Sequence, residues 1–451
     1  MSRPIAEAHL PRTAFDGLGT LRTRYGSGPL IVAAALPFLF LHRNYQPSIS
    51  VGSIDADLSD LAVLMVVVAA LASWSRQRLV SSLPVWEGWG ALALLVVCST
   101  AWGALRFSAY PAGTHAVTAA KWLEYMLLAP ALCLLVRSGR ELVPAAVVLV
   151  AWSCLATLVG VLQFFGAVGD LDHTPAGRRK PSFLGDHDFA ALSAAVLLIG
   201  LLIVARGSRS RSERVLALAA IGAGSIGMVL GGPLDALLGI YLGTAALVLL
   251  TRVRDARRLI AIIGVILAVT AGVAVIRSSA LADGLKFLGI GHGTGGASSH
   301  IQSYRQRALL AYIGGRIFIA HPLLGVGWEG STDPYAFEPY LAAAHKRFNQ
   351  PAAAFPSSTH RWGVQNAYVQ SLADMGVLGL IAFLAALLLP ALAAARRGVG
   401  DARIAGVALP LLMVGVWNGY GLVAGIPIAA LTWLSVGAAG VSLIEGRTPS
   451  T

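Results

Sequence analysis

Arginines, histidines and a few carboxylates gathered late in the chain are where this sequence could do chemistry. Tyr304-Arg305-Gln306-Arg307 opens a stretch that runs through Arg316 to His321-Pro322-Leu323-Leu324-Gly325-Val326-Gly327-Trp328. Arginine presents a planar fork of donors that fits phosphate oxygens, and it keeps its charge in partly dry surroundings. On a helix over 304–318, Arg305 and Arg316 lie eleven residues apart, close to three turns and so on one face. Arg307 lies about 160° round from Arg305, so the three do not all serve one ligand. Contact of a basic surface helix with lipid headgroups is the competing reading. His345, followed by Lys346 and Arg347, offers a further contact for phosphate or sugar. His360 stands beside Arg361 and Trp362 in a stretch that reads as loop.

Earlier in the chain, Arg178, Arg179 and Lys180 could supply a second anionic contact. They precede Asp186-His187-Asp188, a polar cluster able to activate a hydroxyl or bind a cation, or simply to cap a helix. Neighbours on a helix splay apart, so a three-ligand metal site is not expected there. Asp235, just after Gly232-Pro233-Leu234, is expected either to pair with an arginine of the later loop or to be exposed. Lys121 and Glu124, three apart, are expected to pair on one helical face. Familiar catalytic phrases are missing: no Gly-x-x-x-x-Gly-Lys-Ser/Thr loop, no His-Glu-x-x-His, no Cys-x-x-Cys and no Gly-x-Ser-x-Gly. Gly291-His292-Gly293-Thr294-Gly295-Gly296 lacks the flanking strand and helix that nucleotide binding needs.

The elements that must position these residues are membrane helices. The 451 residues are 56% hydrophobic and only 12% charged, against roughly 25% charged in soluble domains. Apolar blocks of about 20 residues recur, the length that crosses a bilayer core as helix. Twelve crossings fit: 27–43, 58–75, 84–103, 117–136, 142–165, 187–205, 213–231, 233–251, 258–276, 371–395, 402–419 and 424–444. Gly231-Gly232-Pro233 makes 213–251 either two tightly connected helices or a broken re-entrant element.

Charge sets the orientation. Arg76 and Arg78, Arg137 and Arg140, Arg206 to Arg214, Arg252 to Arg258, and Arg396 to Arg403 fall in every second connection. That is the positive-inside pattern, and it places both termini in the cytoplasm. It also accounts for the net charge of +12 without nucleic acid. The first 29 residues are mostly polar and basic, so no cleavable signal peptide is expected. Cys98, Cys133 and Cys154 lie in apolar segments and read as small buried hydrophobes. Trp86, Trp89, Trp102 and Trp122 read as interface anchors.

The expected organisation is an all-α polytopic protein. A tail over 1–26 leads to nine helices over 27–276, a large extracytoplasmic loop with interfacial helices over 277–370, three helices over 371–444, and a tail over 445–451. Residues 301–320, partly apolar but carrying three arginines, are expected to lie as a helix at the outer surface rather than span.

The phrase His321 to Trp328 resumes at Gln365-Asn366-Ala367-Tyr368-Val369-Gln370-Ser371-Leu372-Ala373-Asp374-Met375-Gly376-Val377-Leu378-Gly379. Together these resemble the O-antigen ligase and polysaccharide polymerase family of bacterial envelope proteins. Arg307 precedes Pro322 by fifteen residues, as the family pattern has it, and the large loop before the last three helices is similar too. The motifs cover roughly 300–380.

The resemblance implies a glycosyltransferase of the bacterial inner membrane. It would take glycan from a polyprenyl (undecaprenyl) diphosphate carrier and pass it to a glycan, lipid or protein acceptor, without nucleotide-sugar or required metal. Arg307 is then the first diphosphate candidate, with Arg305, Arg316, Arg178 and Arg179 beside it. His345, Gln365, Asn366 and Tyr368 become further substrate contacts. Two departures matter. The family histidine before Asn is Gln365 here, and glutamine takes no proton at neutral pH. His360 is the expected replacement base, with Glu338 or Asp374 as acidic alternatives. The family phrase Gly-Ser-Arg-Gly is Gly232-Pro233-Leu234-Asp235, so an arginine is lost and a carboxylate stands near its place. A binder or transporter of lipid-linked glycans, without transfer, is the second reading.

Overall fold

A computed structural model describes residues 21–51, 54–169, 179–208, 210–278, 303–423 and 425–447. Their regular structure is helical apart from a short antiparallel ribbon, β1 (Ser48–Val51) with β2 (Ile54–Asp57). The first half comprises α1 (Ser27–Leu39), α2 (Leu58–Ala72), α3 (Arg76–Ser81), α4 (Leu83–Arg106), α5 (Ala112–Met126) and α6 (Leu128–Leu135). Then come α7 (Val143–Phe164), α8 (Asp186–Arg206), α9 (Arg211–Gly231), α10 (Leu234–Thr251) and α11 (Ala256–Ile276). After the next described stretch begins come α12 (Ser303–Ala320), α13 (Pro334–Arg347), α14 (Ala367–Arg397), α15 (Gly400–Val416) and α16 (Ile426–Glu445).

The chain is an all-α multi-pass membrane protein. Ten of its described segments are long and apolar enough to cross a bilayer, with α5 and α6 counted as one. α1 and α2 are apolar but only 13 and 15 residues long. At 1.5 Å per residue each covers about 20–22 Å, short of a core of about 30 Å. They coincide with the first two expected crossings and pack on each other.

α8 and α16 run through the middle of the bundle and are buried along nearly their whole length. Small residues let neighbours close on them: a Cβ on Gly406 of α15 would stand 2.8 Å from the Ala439 nitrogen of α16. α9 ends at Gly231, capped by Gly232 in the left-handed conformation, and α10 begins after Pro233. The 213–251 stretch is therefore two separate helices, each packed against α8.

Three local expectations change. Lys121 pairs not with Glu124 but with Asp60, at 3.0 Å, and with Asp57, at 3.6 Å. Asp57, the last residue of the ribbon, and Asp60, in the first turn of α2, thus neutralise it. Trp122 is no surface anchor: it is buried 5.1 Å from Trp328 and 5.7 Å from Trp433. Cys98 is exposed on α4, while Cys133 is buried.

The late loop has a core of its own. Leu309, Leu310, Ile313 and Ile317 on one face of α12 pack with Val326, Phe337, Ala344 and Phe355. Arg316, one residue from Ile317, is turned outward and exposed. This small domain is stitched to the kinked helix α14 through backbone. Val326 N donates to Ala373 O (3.0 Å), Gly327 N to Asp374 O (2.9 Å) and Val377 N to Pro322 O (2.9 Å). Positive φ at Gly325, Gly327 and Gly376 permits the close approach. A second attachment comes from α5, where buried His115 Nε2 meets Asp333 Oδ2 at 2.7 Å and its Nδ1 lies 3.6 Å from Glu329.

Candidate functional site

A polar cavity of about 310 Å³ opens where the starts of α8 and α10 meet α12 and the turn after α15. It lies at the end of the bundle away from the basic connections, since α8 runs from Asp186 beside it to Arg206 at the far end. Arg179, His187, Asp235, Arg277, Gln306, Arg307, Gln365 and Asn418 supply its polar lining.

Three arginines reach it from three separate elements. Arg307 comes from α12, held by the second core; its Nε donates to Gln365 Oε1 at 3.1 Å and its Nη2 lies 3.4 Å from His187 Nε2. Arg179 sits in the extended segment before α8. Its Nε donates to the last carbonyl of α9, Gly231 O, at 2.8 Å, and it pairs with Asp186 at 3.0 Å. That bond satisfies one of the carbonyls a helix leaves open at its C-terminus. Burial pushes the Arg179 pKa down, opposed by the charge of Asp186. Arg277 follows the end of α11, and its Nε is buried without a hydrogen-bond partner.

The carboxylate of the site is Asp235, in the first turn of α10. Its side chain is only 4% exposed, its Oδ2 lies 3.8 Å from His187 Nδ1, and its Oδ1 has no hydrogen-bond partner. Of the two expectations, exposure does not hold, and among the described residues no arginine pairs with it directly: His187 stands between, so the order is Asp235, His187, Arg307. The polar triplet on α8 splays as helix geometry requires. Asp186 turns to Arg179, His187 enters the cavity against Tyr420, and Asp188 accepts from Ile428 N at 3.2 Å.

Of the residues singled out from sequence, Arg307, Arg179 and Gln365 come together here. Asn366 is one step away: its Oδ1 caps α14 at Tyr368 N and Val369 N, and its Nδ2 holds Asn418, which lines the cavity. Tyr368 donates to Val414 O and packs 6.0 Å from Phe383, so it belongs to the bundle. Arg305, Arg316, His345, Glu338 and His360 are not among the lining residues. Glu338 is exposed on α13, and His345 is exposed and stacked on Phe355 at 3.7 Å. His360 is exposed, bonded to Ser357 and Thr359 and stacked on Trp362. Asp374 is fully buried with both oxygens taken, by Ser331 N at 2.9 Å and Gln370 Nε2 at 3.0 Å. None of these four meets the arginines. Arg178 lies outside the described residues.

Arg277 and Asn418 are the members that sequence reasoning missed, and Arg277 is the charged one. The available signal was its place, a basic residue directly after an apolar helix, at the end that the short basic connections avoid. His187 was visible only as part of a polar run. No protein-family model and no curated protein sequence matches the chain.

Proposed function

We propose that this chain is a membrane glycosyltransferase that takes glycan from a polyprenyl diphosphate carrier. The cavity holds the diphosphate and the neighbouring sugar, and the acceptor is a glycan, lipid or protein. The observation that carries this reading is the convergence of Arg179, Arg277 and Arg307 on one polar cavity, with Gln306, Gln365 and Asn418 as neutral partners. A diphosphate leaving group gains negative charge as the glycosidic bond breaks. Fixed arginine forks in a partly dry site stabilise that charge more than water does. The cavity also lies at one end of the spanning helices, where a lipid carrier can keep its chain in the bilayer while its head reaches the arginines. The site would then face away from the cytoplasm of a bacterial plasma membrane, by the charge bias of the connections.

Binding without transfer is the second reading. Gln365, which stands where the resembled family has a histidine, is engaged by Arg307 and takes no proton.

The experiment is carrier binding by the full chain in nanodiscs, with undecaprenyl diphosphate as the probe. A hydrogen bond to a charged group contributes about 1.5–3 kcal/mol, or roughly 10- to 150-fold in affinity. Arg307→Ala is expected to weaken binding by at least about tenfold, and Arg254→Ala, at the opposite end of the bundle, to leave it alone. Equal affinity of wild type and Arg307→Ala refutes the site.

A further inference from the structure

We propose that Asp235 takes the proton from the acceptor hydroxyl. This inference rests on the transferase reading above. Transfer of a glycosyl group to a hydroxyl needs a proton acceptor within reach of the reacting oxygen. Among the described residues lining the cavity, only His187 and Asp235 can serve at neutral pH.

Geometry separates the two. Arg307 can only donate, so the 3.4 Å contact between its Nη2 and His187 Nε2 makes that nitrogen the acceptor. The imidazole proton then sits on Nδ1, the nitrogen 3.8 Å from Asp235 Oδ2. His187 thus has its basic nitrogen covered and its acidic one turned toward the carboxylate. Asp235 keeps Oδ1 without a hydrogen-bond partner, in a side chain 4% exposed at the cavity wall.

A carboxylate in an anion-binding cavity opposes the anion by charge repulsion. What it adds is an acceptor for a group that donates, and a hydroxyl beside the diphosphate is such a group. The surroundings are shaped to hold it there: a Cβ on Gly419 would overlap the Asp235 carboxylate.

The step balances without a further reactant. The acceptor oxygen bonds to the anomeric carbon, and the bond from that carbon to the diphosphate oxygen breaks. Its electron pair leaves on the polyprenyl diphosphate, which the three arginines hold. The hydroxyl proton passes to Asp235 Oδ1 and from there to water.

The test uses the full chain in proteoliposomes. The undecaprenyl-linked glycans extracted from membranes of its source cells serve as donor and acceptor, and released undecaprenyl diphosphate is measured. Binding of bare undecaprenyl diphosphate is measured in parallel. Asp235→Asn is expected to lower turnover by at least about 100-fold, with carrier affinity retained or raised, because a negative charge is gone. Asp235→Glu should restore part of the turnover.

An Asp235→Asn variant that turns over within about threefold of wild type, or one that loses carrier binding, overturns the base assignment and leaves the transferase standing. Wild type that binds carrier but never releases it from glycan also overturns the assignment, and favours the binding reading. Wild type that neither binds nor turns over overturns both.

Discussion

Gly376→Ala is the perturbation that most directly tests how the loop is held over the bundle. Gly376 has φ 69° and ψ −165°, a region that glycine alone occupies freely. A side chain there adds about 1–3 kcal/mol of backbone strain. The new Cβ would also stand 2.6 Å from the Leu324 nitrogen and overlap the Leu323 carbonyl, both backbone atoms that cannot rotate away. Relief requires the 322–327 segment to lift. That loosens the bonds from Val377 to Pro322, from Val326 to Ala373 and from Gly327 to Asp374. Each contributes about 0.5–1.5 kcal/mol net, so the total loss is about 3 kcal/mol or more. Against a usual margin of about 5–15 kcal/mol this is large. The assay is thermal unfolding in detergent followed by size exclusion, with limited proteolysis of the 303–366 region alongside. Gly264→Ala is the control: it lies in α11 with no atom within 4 Å of its added Cβ, and is expected to be neutral or mildly stabilising. If Gly376→Ala melts with the control and its loop stays resistant, the docking argument is wrong.

Other consequences follow for the same attachment. His115→Ala leaves Asp333 buried with only Arg361, at 3.1 Å, and is expected to cost about 3 kcal/mol, the low end for breaking a buried pair. It should speed proteolysis of the loop while the spanning helices stay protected; an unchanged cleavage rate counts against the latch. His321 rests edge-on against Phe107, and burial, then the charge of Arg106, lowers its pKa. The fold therefore favours neutral imidazole. Its contribution is present above the unfolded value of about 6.5 and is lost as pH falls through the lowered folded value. His321→Gln cannot titrate, so its melting temperature should fall less than wild type between about pH 7.5 and about pH 5.5. Parallel curves would remove His321 from the pH response.

Fold class was legible because hydropathy is additive along a chain: blocks of apolar residues name helices whatever surrounds them. The division at Gly231-Gly232-Pro233 was readable for the same local reason. Partner choice was not. Lys121 and Glu124 satisfy the spacing rule for a helical pair, yet Lys121 turns to Asp60 and Asp57, which the ribbon and α2 bring from more than sixty residues away. The motif phrases were likewise legible as a pair, but their glycines serve contact between two backbones, a reason no single segment displays. His360 looked available because it stands near Gln365 in sequence. In space it faces solvent while Gln365 faces Arg307.

Positive charge beside the 232–235 phrase comes from residues outside it. Read along the chain, Asp235 near an arginine's place looks like loss of anion binding. In space, Arg277 lies across the same corner: its Cδ is 3.5 Å from where a Cβ on Gly232 would be. Arg179 closes the other side by anchoring on Gly231. Two cations from outside the phrase therefore border this turn. With positive charge supplied from these neighbours, the first turn of α10 carries a carboxylate, and His187 on α8 lies between it and Arg307. On the transferase reading proposed above, Gln365 offers no proton acceptor from the loop, and Asp235 offers one in the cavity wall, on the far side of His187 from Arg307.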